Sequence, residues 1–404
     1  MKNIKATTLQ VSLNAFTTWL AGYGETSYDF QTVYAGRLGG AAKKFYYRYP
    51  KLGVPVVAPM VFTEAFVPAL KVLFWHKQRF PIADAHYAMG FSLLYSKYGD
   101  KKHLDRTRHF IKVLRETRCR DQQNYCWGYP FAWQTKYGTI PAGTPLITTT
   151  PYAYEAFESL YNISGDPELS EIMQSIANHA TYDIKDRDLS EKSSMCSYTP
   201  DGVYGVINAN AYRAFLLTSA SVHFSESSYW TKAVRNLNYV LDSQRADGAW
   251  LYSYDGVNTF VDHYHTCFVL KALAKIDRLT GGHRGCQRAI ERGVRYYLKN
   301  LFDVNDLPKP FAQSPRLTVY RKELYDYAEC INLCLLLRNR FDQLHDRLTD
   351  AVFDILNRWQ RADGSFHSRQ LLIGWDNIPM HRWAQAQLFR SLCACLHQTS
   401  SLNL

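Results

Sequence analysis

The stretch Gln244-Arg-Ala-Asp-Gly-Ala-Trp250 has an echo at Gln360-Arg-Ala-Asp-Gly-Ser-Phe366, 116 residues later. Each copy follows a run with apolar residues at helical spacing. Asp-Gly is a strong turn signal because glycine takes φ > 0 without steric cost. A second echo pairs Tyr87-Ala-Met-Gly-Phe-Ser-Leu-Leu-Tyr-Ser-Lys-Tyr-Gly-Asp100 with Ala153-Tyr-Glu-Ala-Phe-Glu-Ser-Leu-Tyr-Asn-Ile-Ser-Gly-Asp166. Here Gly-Asp separates one helix from the next. The chain is therefore read as a repeat of helical pairs.

Working outward, apolar periodicity predicts helices over 60–77, 81–98, 102–118, 150–163, 168–183, 208–220, 228–244, 262–280, 284–301, 323–340, 343–360 and 379–396. Residues 8–20 read as a further helix, and 21–58 as irregular. A helical unit of roughly 60 residues cannot bury its apolar face alone, so neighbours must stack. Six hairpins can close a ring, whereas an open solenoid needs polar caps. The 102–118, 228–244 and 284–301 helices are rich in charge and suit an outer shell. The 81–98, 150–163 and 208–220 helices are apolar, small and aromatic, and suit an inner barrel. The expected fold is all-α, an (α/α)6 toroid of six helical hairpins over 59–404, with residues 1–58 as an N-terminal extension packed on it.

Composition limits the function. The 404 residues are 47% hydrophobic and 21% charged, as in a globular protein. No apolar run approaches the ~20 residues of a membrane helix. The nine cysteines form no Cys-x-x-Cys pair. They read as thiols in a reducing compartment, so the expected location is cytoplasmic. The net charge of +11 suggests an anionic partner. The lysines and arginines are dispersed and no nucleic-acid motif is present, so nucleic acid is set aside. An acidic oligo- or polysaccharide, or a sugar nucleotide, fits better. The 29 tyrosines exceed what core packing needs. They suggest a groove where rings stack on a sugar and hydroxyls donate to it.

In a closed ring the six inner helices begin at one end, and the loops entering them line one cavity. Those loops carry the candidate residues. Asp262, Tyr264 and His265 crowd one helix mouth, with Asp262 suited to N-capping. A neutral imidazole at a helix N-terminus serves as a base or a donor. Tyr325 and Asp326 open the next inner helix, with Arg321 before them. Trp375, His381 and Arg382 lead into the sixth, where Arg382 could grip a carboxylate with two parallel hydrogen bonds. Asp84 and His86 open the first, although capping alone accounts for Asp84. Trp127, Tyr129 and Trp133 form either a loop core or a stacking platform. Asn210 lies in the mouth of the third. Turn chemistry alone explains Asp201, Asp247 and Asp363.

The Gln-x-x-Asp-Gly turns between six hairpins resemble the six-hairpin toroid superfamily of glycosidases, polysaccharide lyases and sugar epimerases. The same turn is similar to the repeat of squalene-type terpene cyclases, but the Asp-rich acid box of those enzymes is absent. Lanthionine cyclases share the toroid and need Cys and His zinc ligands. Cys126 and Cys267 lack the companion Cys-His pair, so no metal is expected. Trp127-Gly-Tyr-Pro-Phe-Ala-Trp-Gln134, Ser197-Tyr-Thr-Pro with Asn208-Ala-Asn210, and Asp262-His-Tyr-His-Thr266 resemble bacterial proteins encoded with exopolysaccharide biosynthesis enzymes. Asp262–Thr266 also resembles a segment of heparosan glucuronyl 5-epimerases, with His263 inserted.

The resemblance implies an enzyme acting on an acidic saccharide in polysaccharide biosynthesis, most sharply a uronate 5-epimerase. A polysaccharide synthase complex is the candidate partner. Such an enzyme needs two proton carriers and a cation or donor on the carboxylate, and no cofactor. Two alternatives share the scaffold. A glycoside hydrolase needs two carboxylates ~5–9.5 Å apart across the bond, and a polysaccharide lyase is the related case. A non-catalytic saccharide-binding subunit needs rings but no convergent proton carriers.

Overall fold

The computed structural model describes residues 5–256, 258–315 and 318–398. Helix α1 spans Ala6–Tyr23, followed by α2 (Thr32–Ala35), α3 (Arg37–Arg48), α4 (Pro50–Phe66) and α5 (Lys71–Phe74). Then come α6 (Pro81–Tyr98), α7 (Lys101–Glu116), α8 (Thr150–Ser164), α9 (Pro167–Asn178), α10 (Ile207–Phe224) and α11 (Ser227–Asp242). The chain ends with α12 (His263–Leu279), α13 (Arg284–Asn300), α14 (Leu324–Leu337), α15 (Asp342–Asp354) and α16 (Ala386–Gln398).

Helices α6, α8, α10, α12, α14 and α16 each pack on the next, and α16 packs back on α6, closing an inner ring. Their partners α7, α9, α11, α13 and α15 lie outside it. The fold is an all-α toroid, as the repeats imply. The Gly-Asp junctions work as expected. Gly99 and Gly165 end α6 and α8 in the left-handed region, with φ of 66° and 65°. Asp100 and Asp166 then cap α7 and α9, each accepting a backbone N–H at 3.0 Å.

The sixth outer position is held by α1. The two Gln-x-x-Asp-Gly turns show why. Gln244 Nε2 donates to the carbonyl of Gly248 at 2.9 Å and to that of Ala289 on α13 at 2.9 Å. Gln360 Nε2 donates to the carbonyl of Gly364 at 3.1 Å and to that of Ser12 on α1 at 3.0 Å. A Cβ on Gly248 would meet the Arg292 carbonyl oxygen at 2.4 Å, and one on Gly364 the Ala15 oxygen at 2.3 Å. The same turn therefore seats α13 in one place and α1 in the other. Leu9, Leu13, Phe16 and Leu20 form the buried stripe of α1, and the Phe16 ring stacks on Phe389 of α16.

The helix expected over 60–77 is absent. Pro68 interrupts the run, leaving α4, a short 3-10 turn at Pro68–Leu70, and α5. The stretch read as irregular, 21–58, carries α2, α3 and most of α4. The long loops before α8 and α10 hold small antiparallel hairpins, β1 (Trp133–Thr135) with β2 (Gly138–Ile140), and β3 (Asp186–Asp188) with β4 (Ser194–Cys196). Strand β5 (Val261–Asp262) pairs with β6 (Phe311–Gln313). Strands β7 (Tyr320–Glu323), β8 (Arg369–Leu371) and β9 (Trp375–Asp376) form a three-stranded sheet at the mouths of α14 and α16.

Candidate functional site

All six inner mouths meet at one cavity of about 160 Å³. Helix α6 gives Ile82, α8 gives Tyr152, and α10 gives Asn208 and Tyr212. Helix α12 gives Tyr264, His265 and Phe268, α14 gives Tyr325, and the turn before α16 gives Arg382 and Trp383. The segments leading in add Phe30, Gln31, Tyr129, Trp133, Thr148, Tyr198 and Tyr252. No carboxylate is among these lining residues.

Asp262 caps α12, accepting the backbone N–H of His265 at 3.0 Å. Its second oxygen lies 2.6 Å from Nδ1 of the same residue. That contact assigns the ring proton to Nδ1, where it donates to the carboxylate. Nε2 has no partner among the described residues. Asp262 is fully enclosed while the His265 side chain keeps 21% exposure. Tyr252 supports the ring edge-on, with centroids 4.7 Å apart. A capping residue thus fixes the tautomer and the aim of an imidazole that faces the cavity.

The aromatic wall is continuous around that histidine. Tyr325 stacks on Trp383 at 4.4 Å and 20°, and Tyr264 meets both edge-on. The Tyr152 and Tyr212 hydroxyls share a hydrogen bond of 2.5 Å, and Tyr198 shares one of 2.9 Å with Thr148. Burial pushes the phenols of Tyr152, Tyr198, Tyr212, Tyr264 and Tyr325 well above their usual range. These phenols stay protonated and serve as hydroxyl donors. Asn208 Oδ1 is buried without a partner, an acceptor left over for a ligand.

Arg382 is the one guanidinium or ammonium lining the cavity. Its Nε and Nη2 donate to Asp29 at 2.8 and 2.6 Å. Nη1 reaches the Tyr129 hydroxyl at 3.4 Å. Burial works against the charge, but Asp29 and Tyr129 hold Arg382 above its ordinary value. The two-pronged carboxylate contact expected of Arg382 is thus made internally, to the segment before α2.

The candidates therefore divide. Tyr264, His265, Tyr325, Tyr129, Trp133 and Arg382 line one cavity, with Asp262 directly behind. Asp326, next to Tyr325, is not among the lining residues, and both its oxygens are buried and unpartnered. Burial, then Glu323 and Asp262, push its carboxyl well up, so it stays protonated. The others lie elsewhere. Asp84 is held by Arg79 at 2.9 and 3.1 Å. His86 lies deeper in the barrel, 3.3 Å from Arg390 Nη1. Trp127 donates to the Leu114 carbonyl, and Asn210 braces the backbone of Cys196 and Val206. Arg321 is exposed on β7, and Trp375 stacks on His367. His381 bonds Tyr87 through Nδ1 at 2.6 Å and donates through Nε2 to Gly24 at 3.0 Å. Of the lining residues not singled out, Tyr152 and Tyr212 stand at repeated aromatic positions of the inner helices. Phe30 and Gln31 carry no local signal. Among the described residues, no group of three or more His, Cys, Asp or Glu is placed to hold a metal ion.

No family model and no curated protein matches the sequence. Solved structures do match the fold. A cellobiose 2-epimerase from Bacillus thermoamylovorans superposes with a TM-score of 0.62 at 10% identity, covering 81% of this chain and 90% of that one. A glycoside hydrolase family 76 alpha-mannanase from Bacteroides thetaiotaomicron gives 0.59 at 8% identity, covering 80% and 87%. A polysaccharide lyase gives 0.57 at 11% identity, covering 79% and 91%. At these identities the likeness is one of fold, shared with epimerases, glycoside hydrolases and lyases.

Proposed function

We propose that the cavity is the active centre of a carbohydrate-active enzyme that moves a proton on its substrate, as a sugar epimerase does. The observation that carries this reading is the Asp262–His265 pair, with Nε2 open to a cavity lined by rings and free of carboxylates. Hydrolysis with two carboxylates across a bond finds no such pair in the lining. Proton abstraction needs one well-aimed base and donors for the charge that develops. His265 is the base, and the neutral phenols around it supply donors. Stacked rings such as Tyr325 and Trp383 suit the apolar face of a sugar.

The finer reading is a uronate 5-epimerase working in polysaccharide biosynthesis. It is supported by the Asp262–Thr266 likeness and by the basic chain. Arg382 Nη1, beside Tyr129, is then the group nearest a substrate carboxylate. The nine cysteines, all unpaired, favour a cytoplasmic setting.

Incubation with a panel of neutral and acidic saccharides in deuterated water tests the proposal. Deuterium at a sugar carbon, dependent on His265, is the expected result. New reducing ends would replace it with a hydrolase. New ultraviolet absorbance from a double bond would indicate a lyase using the same base.

A further inference from the structure

Helices α3 and α4 pack on each other and differ from the rest of the molecule. Hydrophobic side chains stand in solvent along them and the turn that follows. Leu38 is 85% exposed, Leu52 66%, Phe62 60% and Leu73 74%. On α4 the exposed Leu52, Pro55, Pro59, Phe62 and Phe66 fall three and four residues apart and form one stripe. On α3 the exposed Leu38, Ala41 and Phe45 keep the same spacing, with the exposed cations Arg37, Lys44 and Arg48 beside them. An exposed apolar surface of this kind marks a docking site.

Charge identifies the occupant. Between residues 37 and 73 the sole acidic residue is Glu64. It is buried in ion pairs with Lys71 and Arg369. Arg37, Lys44, Arg48 and Lys51 are exposed, and none pairs with a carboxylate among the described residues. A second copy docked about a two-fold axis would bring these cations against their own counterparts. An anionic bilayer meets both needs, with its acyl boundary for Leu52, Phe62 and Leu73 and its headgroups for the cations. No helix among the described residues is long and apolar enough to cross a membrane, which matches contact at the interface. We infer that the 37–73 hairpin docks the protein on an anionic lipid surface.

The hairpin also adjoins the cavity. Lys43 Nζ donates to Gln31 at 2.9 Å, and α3 packs on β1, which carries Trp133. Gln31 and Trp133 both line the cavity. Docking sets that mouth beside the headgroups, so the saccharides within reach are those displayed at a lipid surface. This last step rests on the proposed function, whereas the docking does not.

Flotation of the full chain with vesicles tests it. Vesicles of phosphatidylcholine alone are compared with vesicles holding roughly 30% phosphatidylglycerol, at about 0.1 M salt. The protein is expected to float with the anionic vesicles only and to be released at about 0.5 M salt. Lys44→Gln with Arg48→Gln lowers the partition about 30-fold. Leu52→Ser with Phe62→Ser abolishes it, with circular dichroism unchanged because both side chains are exposed. Three results overturn the inference: no flotation, equal flotation with neutral vesicles, or a dimer in light scattering that Leu52→Ser with Phe62→Ser converts to monomer. Deuterium exchange on free saccharides is unaffected by the serine variants, so failure of docking and failure of the enzyme reading are told apart.

Discussion

His265 and His381 stand at two mouths of the same ring, and the fold treats them in opposite ways. At the α12 mouth, Asp262 occupies Nδ1 of His265 and leaves Nε2 open to the cavity. At the α16 mouth, His381 spends both nitrogens on Tyr87 and Gly24, while its backbone N–H donates to Ser27 Oγ at 2.8 Å. Burial pushes its imidazole down to about 4, so it stays neutral and tethers the segment after α1. A histidine near an inner-helix start is therefore left with an open ring nitrogen or tied into the fold according to how many ring nitrogens its neighbours claim.

The sharpest way to break the comparison is to delete each ring. His265→Ala is expected to lower proton exchange by about 10²–10⁴-fold with the melting temperature nearly unchanged. Asp262→Asn keeps a capping oxygen but loses the carboxylate behind Nδ1, and an intermediate loss is expected from the same assay. His381→Ala removes two buried hydrogen bonds and a packed ring. It should destabilise the fold by about 3 kcal/mol in denaturant titration. A stable His381→Ala protein without activity would reverse the assignment.

Acidity sharpens the comparison further. Glu323 lies at the α14 mouth between the two. Burial pushes its carboxyl up to about 7 against the pull of Arg369, with Asp262 and Asp29 adding. Between its ordinary 4.5 and 7, the folded chain keeps a proton that the unfolded chain has released. Stability therefore falls as pH rises through that window. Glu323→Gln should gain in melting temperature over the parent from pH 5 to pH 8, and a constant offset would refute this.

Glu25, next to the His381 tether, goes the other way. Burial raises its carboxyl, but hydrogen bonds from His109 and Arg79 overcome that and hold it down to about 2. Its contribution is present above 4.5 and is lost as pH falls toward 2. Its partners Arg79, Arg106 and His109 keep 27%, 36% and 42% side-chain exposure, so Glu25→Gln should cost about 1 kcal/mol or less at neutral pH and nothing near pH 2.

The ring was legible because its punctuation is local. Gly99-Asp100 and Gly165-Asp166 encode a left-handed stop and a cap within two residues each. The place of α1 was hidden, since a contact between Ser12 and Gln360 has no local trace. The turn at Gln360 did hold the clue, because its twin at Gln244 needs an outer helix to rest on. The site was legible in the same measure. The aromatic mouths named Tyr264, His265, Tyr325, Tyr129, Trp133 and Arg382, which the fold brings to one cavity. Spacing could not tell which flank of a mouth faces inward, so His381, Trp375, Trp127 and Asn210 carried the same signal and point elsewhere. Asp29, the partner of Arg382, lies more than 350 residues away.

The placement of α1 also bears on how the chain is made. The helix exposes Leu9, Leu13, Phe16 and Leu20 until α16 exists to cover them. Some 360 residues separate the two. At ordinary ribosome speeds of about 5–20 residues per second, that interval is roughly 20–70 s. For that time a nascent chain carries an unpaired apolar helix, and the barrel that follows it stays an open horseshoe. The last inner helix to be made, and not the first, is what closes the ring.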